Sequence, residues 1–495
     1  MFEKLKKIIL LILITLSSFP LFGGGYGGAV TLARYQGAKL EEKGGVRILS
    51  VEGDPYEMGY QHGYLVGKVY GERALHLWSL TITATAMLLG GGDFQTGLEL
   101  MHITKSLMEP YIPQDLKIEM QGMADGLCDA YPQCPLTYDD ILLLNTHEDA
   151  TAASWWHHFN GLMNIMRPYE LGTEYPELKL SSNDIQILKQ IELPSCSSFS
   201  MWDKATKNKH LIAAGTEDWF EFSTSSFGGI GNILDGNIIF IANPDKGYAF
   251  GGTSAILLIS CSQGWNEEGI TACQKTSTSI YETLCGWGDF VQCRMLIQFS
   301  SSIEDAVDLL TGPHHRTRGL NWEITDAEAR KAASIEISAT EVAVRYGNTG
   351  DSIVSTNNYF CYPGFEGYEG HNMIEGQFLK WGYGWPYSQE EWLTIVSSDH
   401  RYFTYKSLIE DHYGTIDMDD AKEFLLHCTS IGEKNLMFEN VEFYKTGKTG
   451  DLSKQSMSVQ RFVAHLKTGK IEVSLGGSQP ENLGPWISIN LRKYF

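Results

Sequence analysis

The hydrophobic pattern of this chain changes near residue 195, and that change limits the fold more than any other feature. From about residue 54 to residue 160, apolar side chains recur at three- and four-residue spacing, which predicts helices, for example at 98–111 and 114–131. After residue 196, short β-rich runs bounded by Gly, Asn and Asp predict strands. Helices first, and then strands interleaved with helices, predict an α+β fold with a substantial antiparallel sheet.

The same patterns locate the elements of the second half. The predicted strands cover 199–202, 210–214, 237–242, 255–261, 270–273, 333–337 and 342–346, and the segment 459–475 repeats the strand pattern. The predicted helices cover 290–298 and 303–310. Between the two halves, residues 166–194 carry three prolines and mixed charge, so we predict an exposed connector in which chain cleavage is tolerated.

The first residues are typical of a secretory signal. Lysines lie at positions 4, 6 and 7, a mostly apolar stretch follows from residue 8 to residue 16, and a Gly-rich run ends the segment. This stretch is too short to span a bilayer comfortably. We therefore assign residues 1–25 to a signal peptide and predict a mature protein that is soluble in a secreted or periplasmic compartment, without stable membrane insertion.

The formal net charge of −22 bears on the partners of the protein. Such a surface repels nucleic acid and anionic membranes, so we expect no nucleic-acid partner. We attribute the acidity to solubility rather than to a cationic substrate. A hydrophobic content of 43% over 495 residues is enough for one large core or two ordinary ones.

The nine cysteines and the paired histidines give weaker signals. Cys128 and Cys134, separated by a Tyr-Pro turn, are a candidate disulfide in an exported protein, although all nine cysteines can also be read as small buried hydrophobes. The pairs His157–His158 and His314–His315 do not predict a metal site, because adjacent side chains of a strand point to opposite faces. We predict no cofactor and no metal.

Six segments carry the functional signal when they are taken together and in order. They are 53–59 (Gly-Asp-Pro-Tyr-Glu-Met-Gly), 119–126 (Glu-Met-Gln-Gly-Met-Ala-Asp-Gly), 193–199 (Leu-Pro-Ser-Cys-Ser-Ser-Phe), 217–219 (Glu-Asp-Trp), 264–270 (Gly-Trp-Asn-Glu-Glu-Gly-Ile) and 355–360 (Ser-Thr-Asn-Asn-Tyr-Phe). From residue 47 to residue 365 this order resembles the penicillin-acyltransferase-like branch of the N-terminal-nucleophile hydrolases, relatives of acid ceramidase and of the bile-salt and penicillin V amidases.

The resemblance implies a four-layer αββα sandwich and a chain that cuts itself between Ser195 and Cys196. It then implies an α/β heterodimer from one precursor, with residues 26–195 as a helical α-chain and residues 196–495 as the catalytic β-chain. Cys196 matches the family's nucleophile, Asp218 the aspartate that orients it, and Asn357 the asparagine that binds the oxyanion. A backbone N–H near Gln274 or Lys275 would be the second oxyanion donor.

The chemistry of Cys196 can also be argued from the residue itself. A thiol with an ordinary pKa of about 8.5 needs a local base to become a thiolate nucleophile. If Cys196 becomes an N-terminus, its own α-amine, with a pKa of about 7.7–8.0, can accept the thiol proton. One residue then supplies both nucleophile and base, and no histidine is required.

One position departs from the family pattern. Many relatives have arginine three residues before the aspartate, where this chain has Gly215. The positive charge that would lower the thiol pKa is therefore absent or comes from elsewhere, and Arg294, Arg316 and Arg318 are candidates by composition.

Alternatives to the catalytic interpretation remain open at this point. Cys196 can be one more buried cysteine, and Asp218 and Asn357 can serve turns. For the whole chain, the main hypothesis is an amidohydrolase or acyltransferase that cleaves a small N-acyl amide through a thioester. The rivals are a phospholipase-B-like ester hydrolase of the same superfamily, an exported binding protein that does not process itself, and an ordinary Cys/His protease.

Overall fold

The computed structural model describes most of the chain in several stretches. They are residues 28–151, 166–173, 195–218, 233–277, 279, 281–347, 350–361, 397–427, 458–475 and 485–494. The predicted signal peptide, most of the predicted connector and the pair His157–His158 lie outside the described residues.

Two β-sheets form the centre of the molecule. Sheet A has ten strands in the order β1-β2-β3-β6-β7-β8-β9-β10-β11-β12, and only the β3–β6 pairing is parallel. Its strands are β1 Val30–Tyr35, β2 Ala38–Lys43, β3 Val46–Gly53, β6 Asn237–Pro244, β7 Phe250–Ala255, β8 Gln263–Asn266, β9 Ile270–Thr276, β10 Leu320–Asp326, β11 Lys331–Ile337 and β12 Val342–Tyr346.

Sheet B has six strands, all antiparallel, in the order β13-β4-β5-β14-β15-β16. Its strands are β4 Ser195–Met201, β5 Ile212–Asp218, β13 Ser352–Ser355, β14 Ser458–His465, β15 Lys470–Leu475 and β16 Ile487–Asn490. Cys196 is therefore the second residue of a central strand of this sheet.

The α-helices of the described residues lie outside the sheets, and residues 147–151 are also helical. The helices with defined bounds are α1 Pro55–Tyr70, α2 Glu72–Leu89, α3 Phe94–Met108, α4 Gln114–Ala130, α5 Tyr138–Leu144, α6 Asp289–Phe299, α7 Ile303–Thr311, α8 Ser397–Asp411 and α9 Met418–His427. Helix α1 begins at a capping box, in which Asp54 accepts from the Glu57 N–H and the Glu57 side chain accepts from the Asp54 N–H.

Three hydrophobic cores define four layers. The first core lies between helices α1–α7 and sheet A, the second between the two sheets, and the third between sheet B and helices α8 and α9. The protein is thus an αββα sandwich, which confirms the predicted α+β fold.

Two of the six sequence segments are explained by contact between α1 and α4. A Cβ added at Gly59 would lie 1.9 Å from the carbonyl oxygen of Glu119, and one at Gly122 would lie 2.4 Å from the carbonyl oxygen of Tyr56. Gly63 and Gly126 are equally close to the facing backbone. The segments 53–59 and 119–126 therefore allow two helices to pack backbone to backbone.

Most predicted elements are present, but several regions differ from the sequence interpretation. The predicted strand 255–261 is wrong, because β7 ends at Ala255 and Leu257 has a left-handed φ of +64°. The loop is held by side chains from other elements, with the Leu257 N–H donating to His62 Nε2 at 2.9 Å and the Ile259 N–H donating to Asn145 Oδ1 at 2.9 Å. The strands that were not predicted are β1–β3, β7, β10, β13 and β16.

The candidate disulfide is also corrected. Cys128 and Cys134 are both free thiols, and Cys128 Sγ lies 3.3 Å from the carbonyl oxygen of Leu136. The hairpin predicted at 264–270 is present as β8 and β9, and Asn266 closes it by accepting from the Ile270 N–H at 3.0 Å.

The described helices were also compared with the length and apolarity needed to cross a bilayer. None of them meets the requirement alone, whereas α2 together with residues 94–111 does so as a pair bent by 102°. This result concerns only length and composition.

Candidate active site

Strand β4 directs the side chain of Cys196 toward sheet A. Ser198 and Ser200 donate hydrogen bonds to the Glu323 carboxylate on β10, at 2.7 and 2.6 Å. Since side chains alternate along a strand, Cys196 shares the face of these two serines. Its side chain is buried between the two sheets, and only 5% of the residue is exposed.

Asn357 holds the backbone of Cys196. The Cys196 N–H donates to Asn357 Oδ1 at 3.2 Å, and Asn357 Nδ2 donates to the carbonyl oxygen of Thr276 at 2.5 Å. Thr276 is the last residue of β9, while Asn357 follows β13. The asparagine therefore fixes the beginning of β4 relative to the end of a strand in sheet A.

Arg401, on helix α8, completes the group. Its guanidinium donates to the Cys196 carbonyl oxygen, to Ser197 Oγ and, at 2.6 Å, to Asn357 Oδ1. The residue is buried, so these charge-assisted hydrogen bonds are protected from water. A buried positive charge thus contacts the backbone of the predicted nucleophile.

The sequence analysis did not identify Arg401, although a signal was present. Tyr405, Leu408 and Ile409 lie four, seven and eight residues after it, and all three are buried against sheet B. This spacing marks the inward face of α8 and places Arg401 on it. A charged residue on the apolar stripe of a helix can therefore be found from sequence.

A second cation lies on the opposite side of β4. Lys275 on β9 is fully buried, and its Nζ donates to Ser198 Oγ and, at 2.9 Å, to the Cys273 carbonyl oxygen. Burial lowers the pKa of Lys275, whereas the neighbouring Glu323, Cys273 and Cys196 raise it. Burial also raises the pKa of Glu323, while Lys275 lowers it.

The predicted orienting residue, Asp218, lies opposite Ser195 in the β4–β5 pairing. It is the last residue of β5, one position beyond Glu217, which lies opposite Cys196. The backbone thus places Asp218 beside the predicted cleavage point. Its role remains a prediction.

The three arginines suggested by composition bind other groups. Arg294 forms a buried ion pair with Glu119 at 2.7 Å, and Arg318 pairs with Asp289. Arg316 donates to backbone carbonyl groups, including that of Leu310 at 2.9 Å. Their charges serve contacts between helices and loops, whereas Arg401 donates to the Cys196 carbonyl oxygen.

One of the two positions suggested for the backbone oxyanion donor has a partner in the structure. The Gln274 N–H donates to the carbonyl oxygen of Ser262 at 3.4 Å. At Lys275, the other position named from sequence, the backbone donor remains a prediction.

Three other buried cysteines are poor nucleophiles at neutral pH. Burial raises the thiol pKa of Cys261, Cys273 and Cys293, in the last case to about 12. These thiols keep their protons at neutral pH, and none of the three therefore offers a thiolate.

A pocket opens beside the strand partner of Cys196. Glu217 and Gln460 line it from sheet B, and Leu77, Trp78 and Leu144 contribute apolar side chains from the helical layer. One residue of its lining, Glu217, lies directly opposite Cys196 in the β4–β5 pairing. Within the described residues, no group of three or more His, Cys, Asp or Glu side chains is placed to hold a metal ion.

An αββα sandwich with a buried cysteine at the start of a central strand has the layout predicted for an N-terminal-nucleophile hydrolase. Residues 232–434 match the family model of acyl-coenzyme A:6-aminopenicillanic acid acyl-transferase, which confirms the predicted family over that part of the chain. The match includes Lys275, Asn357 and Arg401, and it begins after Cys196 and Asp218.

Similar proteins and structures were also found. An uncharacterized protein of Archaeoglobus fulgidus is 27% identical over 429 residues, or 83% of this chain, and the chain spans 62% of the length of that curated relative. A mutant of the conjugated bile acid hydrolase of Clostridium perfringens is 14% identical with a TM-score of 0.38, covering 60% of this chain and 93% of that one.

Two further solved structures are similar at the same level. The penicillin V acylase of Agrobacterium tumefaciens is 16% identical with a TM-score of 0.35, and the match covers 60% of this chain and 87% of that one. An N-acylethanolamine-hydrolyzing acid amidase ortholog of Caenorhabditis elegans is 11% identical with a TM-score of 0.35, covering 55% and 93%. At these values the structural similarities carry no argument about substrate.

Proposed function

We propose that this protein is an exported, self-processing amidohydrolase or acyltransferase that uses Cys196 to cleave a small N-acyl amide. The observation that carries the proposal is the convergence of Asn357 and Arg401 on the backbone of buried Cys196. The family match over residues 232–434 supports acyl transfer as the class of reaction.

The first reaction of such an enzyme is its own cleavage. Cys196 Sγ attacks the carbonyl carbon of Ser195, the bond from that carbon to the Cys196 nitrogen breaks, and the nitrogen leaves as an α-amine. Water then hydrolyses the thioester, leaving a carboxylate on Ser195 and a restored thiol on Cys196. The products are an α-chain that ends at Ser195 and a β-chain that begins at Cys196.

The new amine would already have a partner. Its nitrogen is the atom that now lies 3.2 Å from Asn357 Oδ1, which can accept a hydrogen bond from an amine as well as from an amide. The nearby guanidinium of Arg401 disfavours a second positive charge and so favours the neutral amine. A neutral amine can take the proton of the thiol when substrate is attacked.

Asn357 also has a donor to offer the oxyanion. Its Nδ2 carries two hydrogens, and the bond to Thr276 occupies one of them. A preorganised donor of this kind contributes about 2.7–4 kcal/mol to a transition state that carries an oxyanion. Asn357 therefore suits both reactions, self-cleavage and turnover.

The pocket beside Glu217 would receive the acyl group. Leu77, Trp78 and Leu144 present apolar surface there, next to the strand pair that carries Cys196. The acyl-enzyme would be a thioester that water or an amine resolves.

Mass spectrometry of the secreted protein tests the proposal. The wild type should lose its signal peptide and give fragments 26–195 and 196–495, whereas Cys196→Ala should remain one chain because it lacks the sulfur nucleophile. Cys134→Ala is the matched control, since it removes a half-buried thiol from the helical layer and should leave cleavage intact. A fully active wild type with an intact chain would contradict the mechanism.

The same preparation separates the rival functions. A phospholipase-B-like enzyme would hydrolyse lysophospholipid esters faster than N-acyl amino acids. A binding protein would show one chain and no turnover of either. The missing arginine at position 215 is not an argument for the binding protein, because Arg401 brings a positive charge to the Cys196 backbone from another element.

A further inference from the structure

We infer that Lys275 is a positioning residue that keeps Cys196 in its thiolate form before the chain is cut. This inference rests on the proposed function, in which Cys196 must attack while its nitrogen is still part of an amide. An amide nitrogen is not a base, so the α-amine cannot take the thiol proton at that stage. The first cut therefore needs another source of positive charge near the sulfur.

The position of Lys275 fits this role. Its Nζ donates to Ser198 Oγ, and Ser198 is two residues from Cys196 on the same face of β4. Cys196 in turn raises the pKa of Lys275 by its charge, which places the two groups within electrostatic reach. Lys275 acts here as an ammonium that keeps its protons, so the proton that Sγ loses passes to solvent and the thiolate and the ammonium remain as an ion pair.

Arg401 cannot take over this task from its own side of the strand. It contacts Ser197 Oγ, and Ser197 points away from sheet A, toward helix α8. The sulfur of Cys196 lies on the other face, with Lys275. The two cations thus act on different parts of the same residue, Arg401 on the backbone and Lys275 on the thiol.

Gly215 explains why the charge comes from sheet A. A Cβ at this position would lie 2.8 Å from Phe462 Cε1 and 2.9 Å from Gln263 Oε1. An arginine side chain therefore has no room unless both neighbours move. Lys275 reaches the same face of β4 from the opposing sheet, without passing through that space.

The groups around the pair determine its titration. Lys275 interacts with Glu323 from β10, with Cys273 of its own strand and with Arg345 from β12. Cys196 lies opposite Glu217 of β5, and Arg401 from α8 binds its carbonyl oxygen. Glu323 also accepts from Ser198 and Ser200, which holds its charge beside Lys275. A buried ammonium is costly without such a partner.

The test measures the reactivity of the thiol rather than catalysis. Full-length protein is alkylated with iodoacetamide between pH 5 and pH 10 and digested with trypsin. Residues 190–204 then report on uncut chain and residues 196–204 on cut chain, each with Cys196 as its one cysteine. In uncut chain, Lys275→Met should raise the midpoint pH of alkylation by at least one unit, slow alkylation at pH 7 about tenfold and slow cleavage.

Further variants identify the cause. Lys275→Arg keeps the charge and should restore most of the shift. Lys105→Met is the matched control, because Lys105 is another buried lysine, paired with Asp139 at 3.1 Å in the helical layer, and should leave the midpoint unchanged. If Lys275→Met does not fold, the double variant Lys275→Met/Glu323→Gln removes both buried charges and should show the same raised midpoint.

The outcomes separate this inference from the proposed function. Suppose that folded Lys275→Met has an unchanged midpoint and still cuts itself and turns over substrate. This result overturns the inference about Lys275 and leaves the proposed function intact. A wild-type chain that is never cut, yet shows a Cys196 midpoint that depends on Lys275, overturns self-processing and leaves the inference standing.

Discussion

At the scale of single residues, the candidate site depends on groups that are far apart in sequence. Cys196 has its backbone held by Asn357 and Arg401, which follow it by 161 and 205 residues. The motif around Cys196 suggested a nucleophile, but the cations come from β9 and α8. Their convergence is a property of the fold, and local sequence patterns alone do not show it.

Arg401 allows a test of charge against geometry. Arg401→Met should slow self-cleavage about 10²–10³-fold, because it removes the donors to the Cys196 carbonyl and to Asn357. Arg401→Lys should recover only part of the rate, since an ammonium keeps the charge but cannot reproduce the planar fork that reaches three acceptors. Time courses of intact mass give the rates.

The control for Arg401 is Arg330→Met. Arg330 is an exposed arginine that pairs with Asp203 at 2.6 Å, and its loss should leave the rate unchanged. Equal cleavage rates in Arg401→Met and in the wild type would remove Arg401 from the mechanism.

At the scale of elements, the packing of α1 on α4 explains why glycine-rich segments precede the nucleophile. Gly59 and Gly63 on α1 face Gly122 and Gly126 on α4, and each lies against the backbone of the other helix. Glycine is normally unfavourable in a helix by about 1 kcal/mol relative to alanine. Close helix approach offsets that cost here.

Gly59→Ala should therefore destabilise the protein, although helix propensity alone predicts the opposite. The new Cβ would lie 1.9 Å from the Glu119 carbonyl oxygen, so the helices must separate, at a cost of about 1–3 kcal/mol in the free energy of unfolding. Chemical denaturation measures the change. Gly236→Ala is the control, because its Cβ would meet Ile256 and Leu77 only at ordinary distances of 3.5 and 3.6 Å. A gain in stability for Gly59→Ala would contradict the packing argument.

The sequence predicted elements well where a regular hydrophobic period determined them. Helices α3, α4, α6 and α7 lie within a few residues of their predicted bounds, because each has an apolar face that needs no distant partner to be recognised. The run 255–261 failed for the opposite reason. Its apolar residues resemble a strand, but His62 and Asn145 fix the loop from other elements, and Leu257 adopts φ +64° beside the pocket.

At the scale of the whole molecule, the predicted cleavage point divides the chain but not the sandwich. Strands β1–β3 come before Ser195, and β3 pairs in parallel with β6, which comes after it. The first hydrophobic core also combines helices α1–α5 with strands and helices of the later segment. Residues 26–195 were predicted to be a helical segment, and in the structure they also contain three strands of sheet A, β1–β3.

The two fragments of the processed protein should therefore remain together. Cleavage after Ser195 breaks one peptide bond and leaves intact the β3–β6 hydrogen bonds and the shared core. Size-exclusion chromatography in native buffer should give one peak that contains both fragments, and denaturant should separate them in parallel with the loss of structure. Cys196→Ala serves as the uncut reference of the same mass, and release of residues 26–195 under native conditions would mean that the first core does not hold the two parts together.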